Sequence, residues 1–350
     1  MPRVTAQDVA DRVGCSTAAV SLVVNGRDAG RVSPKLRADI LRAVDELRYR
    51  THPGAHALAT GSSRRVALVC PDLRNAFFAD LFHGVLAGVG EQFEVEIVVG
   101  RDTHDYDSRT VRFTQNGEVA GLIIAAPSRT VVAELDDTAL PLVLVDAADP
   151  GSTLPSVDLD LDAAGEALAE HLCGLGHRAI GYLDSTQDKT TYQRRRDSFV
   201  AAARDRGAIV VVGDVTAEQD FASASEAFVA NRATWAAEDV TAVVCAEERL
   251  TFGALQGARA EGVSVPAQLS IAGFDDTPYA TIVEPALTSI RFDAFELGLR
   301  AGAALAARID DVESPQPALV PISLQVRAST GPPAVPAPTK PAEMSYTPTS

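Results

Sequence analysis

Val4-Thr5-Ala6-Gln7-Asp8-Val9-Ala10-Asp11-Arg12-Val13-Gly14-Cys15-Ser16-Thr17-Ala18-Ala19-Val20-Ser21-Leu22-Val23-Val24-Asn25-Gly26 is the stretch on which the reading of this chain turns. Thr5 and Asp8 have the spacing of a capping box, in which the hydroxyl accepts the N3 amide proton and the carboxylate reaches back to the cap amide. That predicts a helix over Ala6–Val13, ended by Gly14. Ser16 then caps a second helix over Thr17–Val24, which Asn25-Gly26 stops. Two helices joined by a tight glycine turn form a helix-turn-helix when their facing residues are small or apolar, because the second must cross the first at close range. Val9, Ala10, Val13, Cys15, Val20 and Val23 meet that demand. A plain αα-hairpin shares these features, but a third helix follows: Ser33-Pro34 gives a cap with proline at N1, and Leu36, Ile40, Val44 and Leu47 line one face.

Charge separates this head from the rest. Residues 1–65 hold 11 Lys/Arg against 6 Asp/Glu, net +5, whereas residues 66–350 hold 20 against 41, net −21. A basic module on an acidic body points to a polyanion partner for the head alone. On duplex DNA the N-terminal half of the second helix would enter the major groove, presenting Thr17, Ala18 and Ser21 to base edges. Val4, Thr5, Ser16 and Asn25 are placed to offer hydroxyl, amide and backbone N–H groups to phosphates, with Arg27, Arg31 and Lys35 adding charge. Thr17 and Ala18 suit a thymine methyl and cannot grip guanine as arginine does.

The body has a different grammar. Short β-branched runs at 66–70, 95–99, 121–125, 142–145, 179–183, 209–212, 241–246 and 269–274 alternate with helical stretches. Strand then helix, repeated, predicts doubly wound parallel sheets covered on both faces. A division near 146–162 splits the units into two α/β lobes. A helix over 294–309 and a strand-like 319–326 suggest that the chain crosses between lobes more than once. The expected organisation is a helix-turn-helix domain at 1–50, a hinge at 51–62, a two-lobed core at 63–330 and a disordered Pro-rich tail at 331–350.

These residues resemble a known family. Val-Thr-x-x-Asp-Val-Ala at 4–10, Gly14-x-Ser16, Val20-Ser21-x-Val23-Val24-Asn25-Gly26, Arg31-Val32-Ser33-Pro34 and Leu47-x-Tyr49 are similar to the head of the lactose/galactose repressor family of bacterial transcription regulators. The likeness continues through Pro71-Asp72-Leu73-x-Asn75-Ala76-Phe77-Phe78, Leu175-Gly176-His177-Arg178, Gly262-Val263-x-Val265-Pro266, Gly273-Phe274-Asp275-Asp276-Thr277-Pro278 and Leu287-Thr288-Ser289-Ile290. The resemblance implies a homodimer or dimer of dimers on a roughly palindromic operator, and a core built like a periplasmic sugar-binding protein with a small effector between its lobes. It further implies a hinge helix that pushes Leu58 into the minor groove. The hinge departs from the pattern: Thr51-His52 replace Pro-Asn, His56 replaces arginine, and Pro53-Gly54 fall where the helix should start. Leu22 replaces an arginine common in the recognition helix.

Carried over residue by residue, Phe77 and Phe78 would wall the effector site, while Arg195 and Asp275 match the ligand arginine and carboxylate. Asp146 and Asp275 are favoured independently, since open α/β sheets bind ligands outside the carboxyl ends of their strands. Glu247-Glu248 stand where the family has Asn-Asp, and Glu247 adds an acceptor suited to a hydroxyl-rich or cationic ligand. Ser198 replaces a motif glycine, and His177 reads as a turn residue. A sugar or sugar derivative is the favoured effector; a nucleobase-like one would use the same Phe/Arg/Asp set.

Other classes find less support. A periplasmic solute-binding protein would share the body but would carry a secretory signal and no basic head. The start of the chain lacks such an apolar segment and no run approaches the length of a membrane helix, so a cytoplasmic address without membrane contact is expected. Phosphate-loop, dinucleotide-fingerprint, nucleophile-elbow and zinc-helix motifs are missing, and adjacent Asp275 and Asp276 should point to opposite faces, so neither an enzyme nor a cofactor is expected. Cys15, Cys70, Cys173 and Cys245 are too dispersed for a zinc site and read as reduced core thiols.

Overall fold

The computed structural model describes residues 4–24, 28, 30–47, 49, 64–100, 110, 119–135, 138–147, 152–312 and 319–334. Asn25, the hinge with Leu58, and residues 335–350 lie outside these.

The first unit is a three-helix head: α1 (Ala6–Val13), α2 (Thr17–Val24) and α3 (Pro34–Leu47). The Thr5 hydroxyl accepts from the Asp8 amide at 3.3 Å, and the Thr5 amide donates to the Asp8 carboxylate at 2.7 Å. Gly14 ends α1 with φ of 74°, a left-handed cap that costs glycine little. Ser16 and Ser33 cap α2 and α3 through bonds from the Ala19 and Leu36 amides. Val9, Ala10, Val20, Val23, Ile40 and Ala43 form the buried core, with Val13, Cys15, Leu36, Val44 and Leu47 packed against it.

The body is a second unit with two sheets. The first, in order β2-β1-β3-β4-β5, comprises β1 (Arg65–Cys70), β2 (Glu94–Val99), β3 (Gly121–Ala125), β4 (Leu142–Val145) and β5 (Ser156–Val157), all parallel. The second, β11-β10-β9-β8-β6-β7, comprises β6 (Ala179–Leu183), β7 (Ile209–Val212), β8 (Ala242–Cys245), β9 (Ser270–Asp275), β10 (Thr288–Phe292) and β11 (Ile322–Gln325). Covering helices are α4 (Ala76–Val89), α5 (Arg129–Leu135), α6 (Leu161–Gly174), α7 (Thr190–Asp205), α8 (Phe221–Ala237), α9 (Glu248–Ala260) and α10 (Ala294–Ile309).

The eight strand runs read from sequence are all present. Two more strands were not read as such: short β5 and β10, while 319–326 contracts to β11, antiparallel to β10. After β10 the chain returns to the first lobe, where α10 crosses α4 at backbone contact. A Cβ at Gly84 would lie 2.0 Å from the Phe295 carbonyl oxygen, and one at Gly298 would lie 2.1 Å from that of Leu81. The α6–α7 contact uses a glycine on the other partner. Where the sequence has Ser198 in place of a motif glycine, Gly165 faces it, and a Cβ there would stand 2.5 Å from the Ser198 hydroxyl.

Gly331, placed by composition at the start of a tail, is instead tied into the second lobe. Its amide donates to the Ser270 hydroxyl at 3.0 Å, and its carbonyl accepts from His177 Nε2 at 3.0 Å. Since that carbonyl can only accept, Nε2 carries the proton and Nδ1 accepts from the Thr241 hydroxyl at 2.8 Å. His177 is fully buried, and burial lowers its pKa, so it is a structural tie beyond the Gly176 turn.

Candidate functional site

Four of the six non-glycine residues with positive φ among the described residues lie at the carboxyl ends of body strands. Ala126, Asp146, Asp275 and Asp276 have φ of 46°, 52°, 90° and 53°, immediately after or at the ends of β3, β4 and β9. Left-handed conformations cost non-glycine residues energy and collect where a site over-determines the chain.

Here Arg195, from the second turn of α7, bridges the lobes. Its guanidinium donates to Asp275 at 2.9 Å and to the Ala246 carbonyl at 3.1 Å, and lies 3.8 Å from Asp146 of the first lobe. All three side chains are at most 5% exposed. Thr191, one turn earlier, donates to Asp146 at 2.9 Å. Burial pushes the Asp146 carboxyl up to about 7, against the pull of Arg195 and Thr191. The guanidinium also lies over aromatic faces, 4.7 Å from the Phe292 centroid and 5.4 Å from those of Phe274 and Tyr192.

Of the residues expected at this site, the structure brings Asp146, Arg195 and Asp275 into direct contact. Phe77 and Phe78 lie in the first turn of α4, beyond β1, nearly buried and packed edge to face at 5.3 Å. The rings against Arg195 are instead Tyr192, Phe274 and Phe292, which sequence reasoning did not single out as ligand residues. Tyr192 was detectable in principle, since i and i+3 share a helix face. Glu247 is fully buried, with its acceptors already engaged: it caps α9 through the Leu250 amide at 3.1 Å and faces Arg249 Nε at 3.4 Å. Burial pushes its carboxyl up to about 7. Glu248 accepts from the Thr277 amide at 2.9 Å and pairs with the Thr277 hydroxyl, and burial pushes it up to about 8. Asp276 turns away from Asp275 to pair with Arg291 at 2.7 Å and Arg327 at 2.6 Å. Asp72, which the sequence placed only within a family motif, and Arg249, which it did not single out, are joined at 2.8 Å.

On the head, Thr5, Ser16, Thr17, Ala18 and Ser21 are exposed and Val4 is half-buried. The Ser16 hydroxyl uses a lone pair for capping and keeps its proton for another acceptor. That of Thr5 donates to Asp8 at 2.7 Å, so a phosphate bond from it would have to displace the carboxylate. Asn25 and Leu58 lie outside the described residues.

Comparison with known proteins gives consistent matches. Residues 5–52 match the model of bacterial regulatory proteins of the lacI family, and residues 169–330 match a periplasmic binding protein-like domain. The transcriptional regulator GntR of Pseudomonas aeruginosa is 30% identical over 337 residues, covering 94% of this chain and 96% of the relative. A solved complex of the transcriptional regulator CelR with cellobiose is 26% identical, covering 93% of this chain and 100% of the other, with a TM-score of 0.66. The lac repressor dimer bound to operator and the anti-inducer ONPF shares the fold, at 23% identity, coverage of 94% and 100%, and a TM-score of 0.77.

Proposed function

Because this chain belongs to the lacI family of bacterial regulatory proteins, and so is a DNA-binding transcription regulator with an effector-binding core, we propose that it represses transcription under control of a sugar or sugar derivative bound between the body lobes. The observation that carries effector control is the position of Arg195. One buried guanidinium is held by carboxylates from both lobes, so any ligand that takes over one of its bonds changes how the lobes are joined. The ion pairs disfavour an anionic ligand, since the Arg195 and Arg249 guanidiniums are both already committed to carboxylates. The CelR relative is held with cellobiose, which supports a neutral saccharide here.

DNA contacts are assigned to Val4, Thr5, Ser16 and Asn25 on phosphates, to Thr17, Ala18 and Ser21 on base edges, and to Leu58 in the minor groove. A homodimer suits a two-fold operator, and exposed Phe221, Tyr279 and Ile282 supply apolar surface for subunit contact. No described helix is long and apolar enough to cross a membrane, and a cytoplasmic location follows from the DNA partner. No catalytic step is assigned, since Asp275 and Asp276 are each engaged by different arginines.

The test is a thermal-shift panel of neutral saccharides, sugar phosphates, sugar acids and nucleosides on the intact protein, followed by operator binding with each hit. A neutral saccharide should raise the melting temperature and alter operator affinity. Asp275→Asn and Arg195→Lys should abolish that response while operator binding persists. A response only to nucleosides, or one unchanged in both variants, would remove the sugar-cleft assignment.

A further inference from the structure

Among the described residues, two side-chain clusters join the lobes of the body across ion pairs. One is Asp146, beyond β4, with Thr191 and Arg195. The other is Asp72, in the loop after β1, whose Oδ2 accepts from an Arg249 terminal nitrogen at 2.8 Å, Arg249 being in the first turn of α9. Neither member of the second pair was assigned a ligand contact from the sequence.

Arg249 is held as a designed-in contact would be, with each guanidinium nitrogen facing a different acceptor. Nε faces Glu247 at 3.4 Å, one terminal nitrogen donates to Asp72, and the other donates to Gln219 at 3.2 Å. The Gln219 amide in turn donates to the Tyr192 hydroxyl, and the Tyr192 ring lies 5.4 Å from the Arg195 guanidinium. Exposed ion pairs are worth little because water and side-chain freedom compete with them. Here the side chains are only 13% and 16% exposed, and Glu247 and Gln219 fix the arginine before Asp72 meets it. The pairing therefore loses little further freedom on closure.

We propose that Asp72–Arg249 is a latch that holds the two lobes closed in the absence of effector, and that the Gln219–Tyr192 link lets an occupant of the Arg195 site disturb it. The first half of this concerns the body alone and stands whether or not the effector is a sugar. It therefore fails or survives separately from the functional proposal.

Ligand-free, full-length protein after exhaustive dialysis supplies the test. Spin labels are placed at Arg129→Cys and Asp214→Cys, exposed positions following the carboxyl ends of β3 and β7 in different lobes. Cys15→Ala removes the native cysteine that is not buried. Pulsed electron spin resonance should give one narrow inter-lobe distance in this parent. Asp72→Asn should raise the ratio of open to closed molecules by roughly fivefold, seen as a second, longer distance. Arg249→Gln should do the same, and the double variant should go no further than either single one. If Arg249→Gln fails to fold because Glu247 loses its cation, Asp72→Asn decides, since it leaves that buried pair intact. A distribution unchanged by Asp72→Asn, or a parent already spread over open and closed distances, overturns the latch.

Discussion

Glu248 is a carboxyl whose chemistry depends on its proton. It is 3% exposed, and burial pushes it up to about 8 while the two Thr277 bonds pull the other way, with Asp275 and Asp276 nearby raising it further. The Thr277 amide donates to one Glu248 oxygen and the Thr277 hydroxyl to the other; in glutamine the oxygen keeps the amide bond and the NH2 group donates to the hydroxyl oxygen, so the pairing survives loss of the charge. Glu248→Gln should therefore leave the melting temperature at pH 7 within about 2 °C of the parent. The sign of the pH dependence follows from the raised value. Above the ordinary glutamate range the unfolded chain has released a proton that the folded chain still holds, so the stability this group contributes is greatest in acid and falls as pH rises from about 4.5 through 8. Asp146 and Glu247, both pushed up to about 7, act in the same direction, so the variant should keep a shallower slope rather than none. Melting curves from pH 5 to 9 measure this, and a loss beyond about 5 °C at pH 7 would mean that the charged carboxylate is what the site requires.

Helix pairs decide how tightly the body is built, and the α4–α10 crossing is the closest of those described above. Gly84→Ala sets a methyl 2.0 Å from a backbone oxygen, which cannot rotate away as a side chain would. Overpacking of this kind costs about 1–3 kcal/mol, and the expected result is a melting temperature lower by several degrees. Gly174→Ala, at the end of α6 with nothing within 4 Å, is the control and should be neutral or mildly stabilising. Equal effects at both positions would refute the steric account. Such crossings are hard to read from one sequence, because small residues on a helix say nothing of what approaches them. Strands were more legible: β1, β3, β4 and β8 are buried along nearly their whole lengths and read as apolar runs. β10 escaped because it opens on Thr288 and Ser289, buried polar residues. Thr288 is satisfied by Ser329 and Arg327, from a segment about 40 residues away. The site divides the same way. Asp146 and Asp275 were visible from their places at strand ends, and Arg195 from a family motif. Asp72 and Arg249 are 177 positions apart, and only the fold brings them together.

Across the whole chain, charge distribution sets a constraint that no single contact does. Residues 1–65 carry +5 and residues 66–350 carry −21, so long-range attraction to DNA must come from the head while the body repels it. Non-specific affinity should therefore fall steeply with salt, with a slope set by the number of phosphates that head cations neutralise. Arg31 and Lys35 are exposed near the start of α3. If each neutralises one phosphate, Arg31→Ala and Lys35→Ala should each reduce the slope of log affinity against log salt by about 1. Both should weaken binding evenly across sequences. Ala18→Gln should behave oppositely: exposed on the first turn of α2, it should change which duplex is preferred, through an amide able to grip adenine, and leave the salt slope alone. Fluorescence anisotropy of the full chain, on a selected operator and on scrambled duplex over a salt series, separates the two effects. A slope insensitive to Arg31 and Lys35 would place the phosphate contacts elsewhere. A preference untouched by Ala18→Gln would mean that α2 does not enter the groove by its N-terminal half.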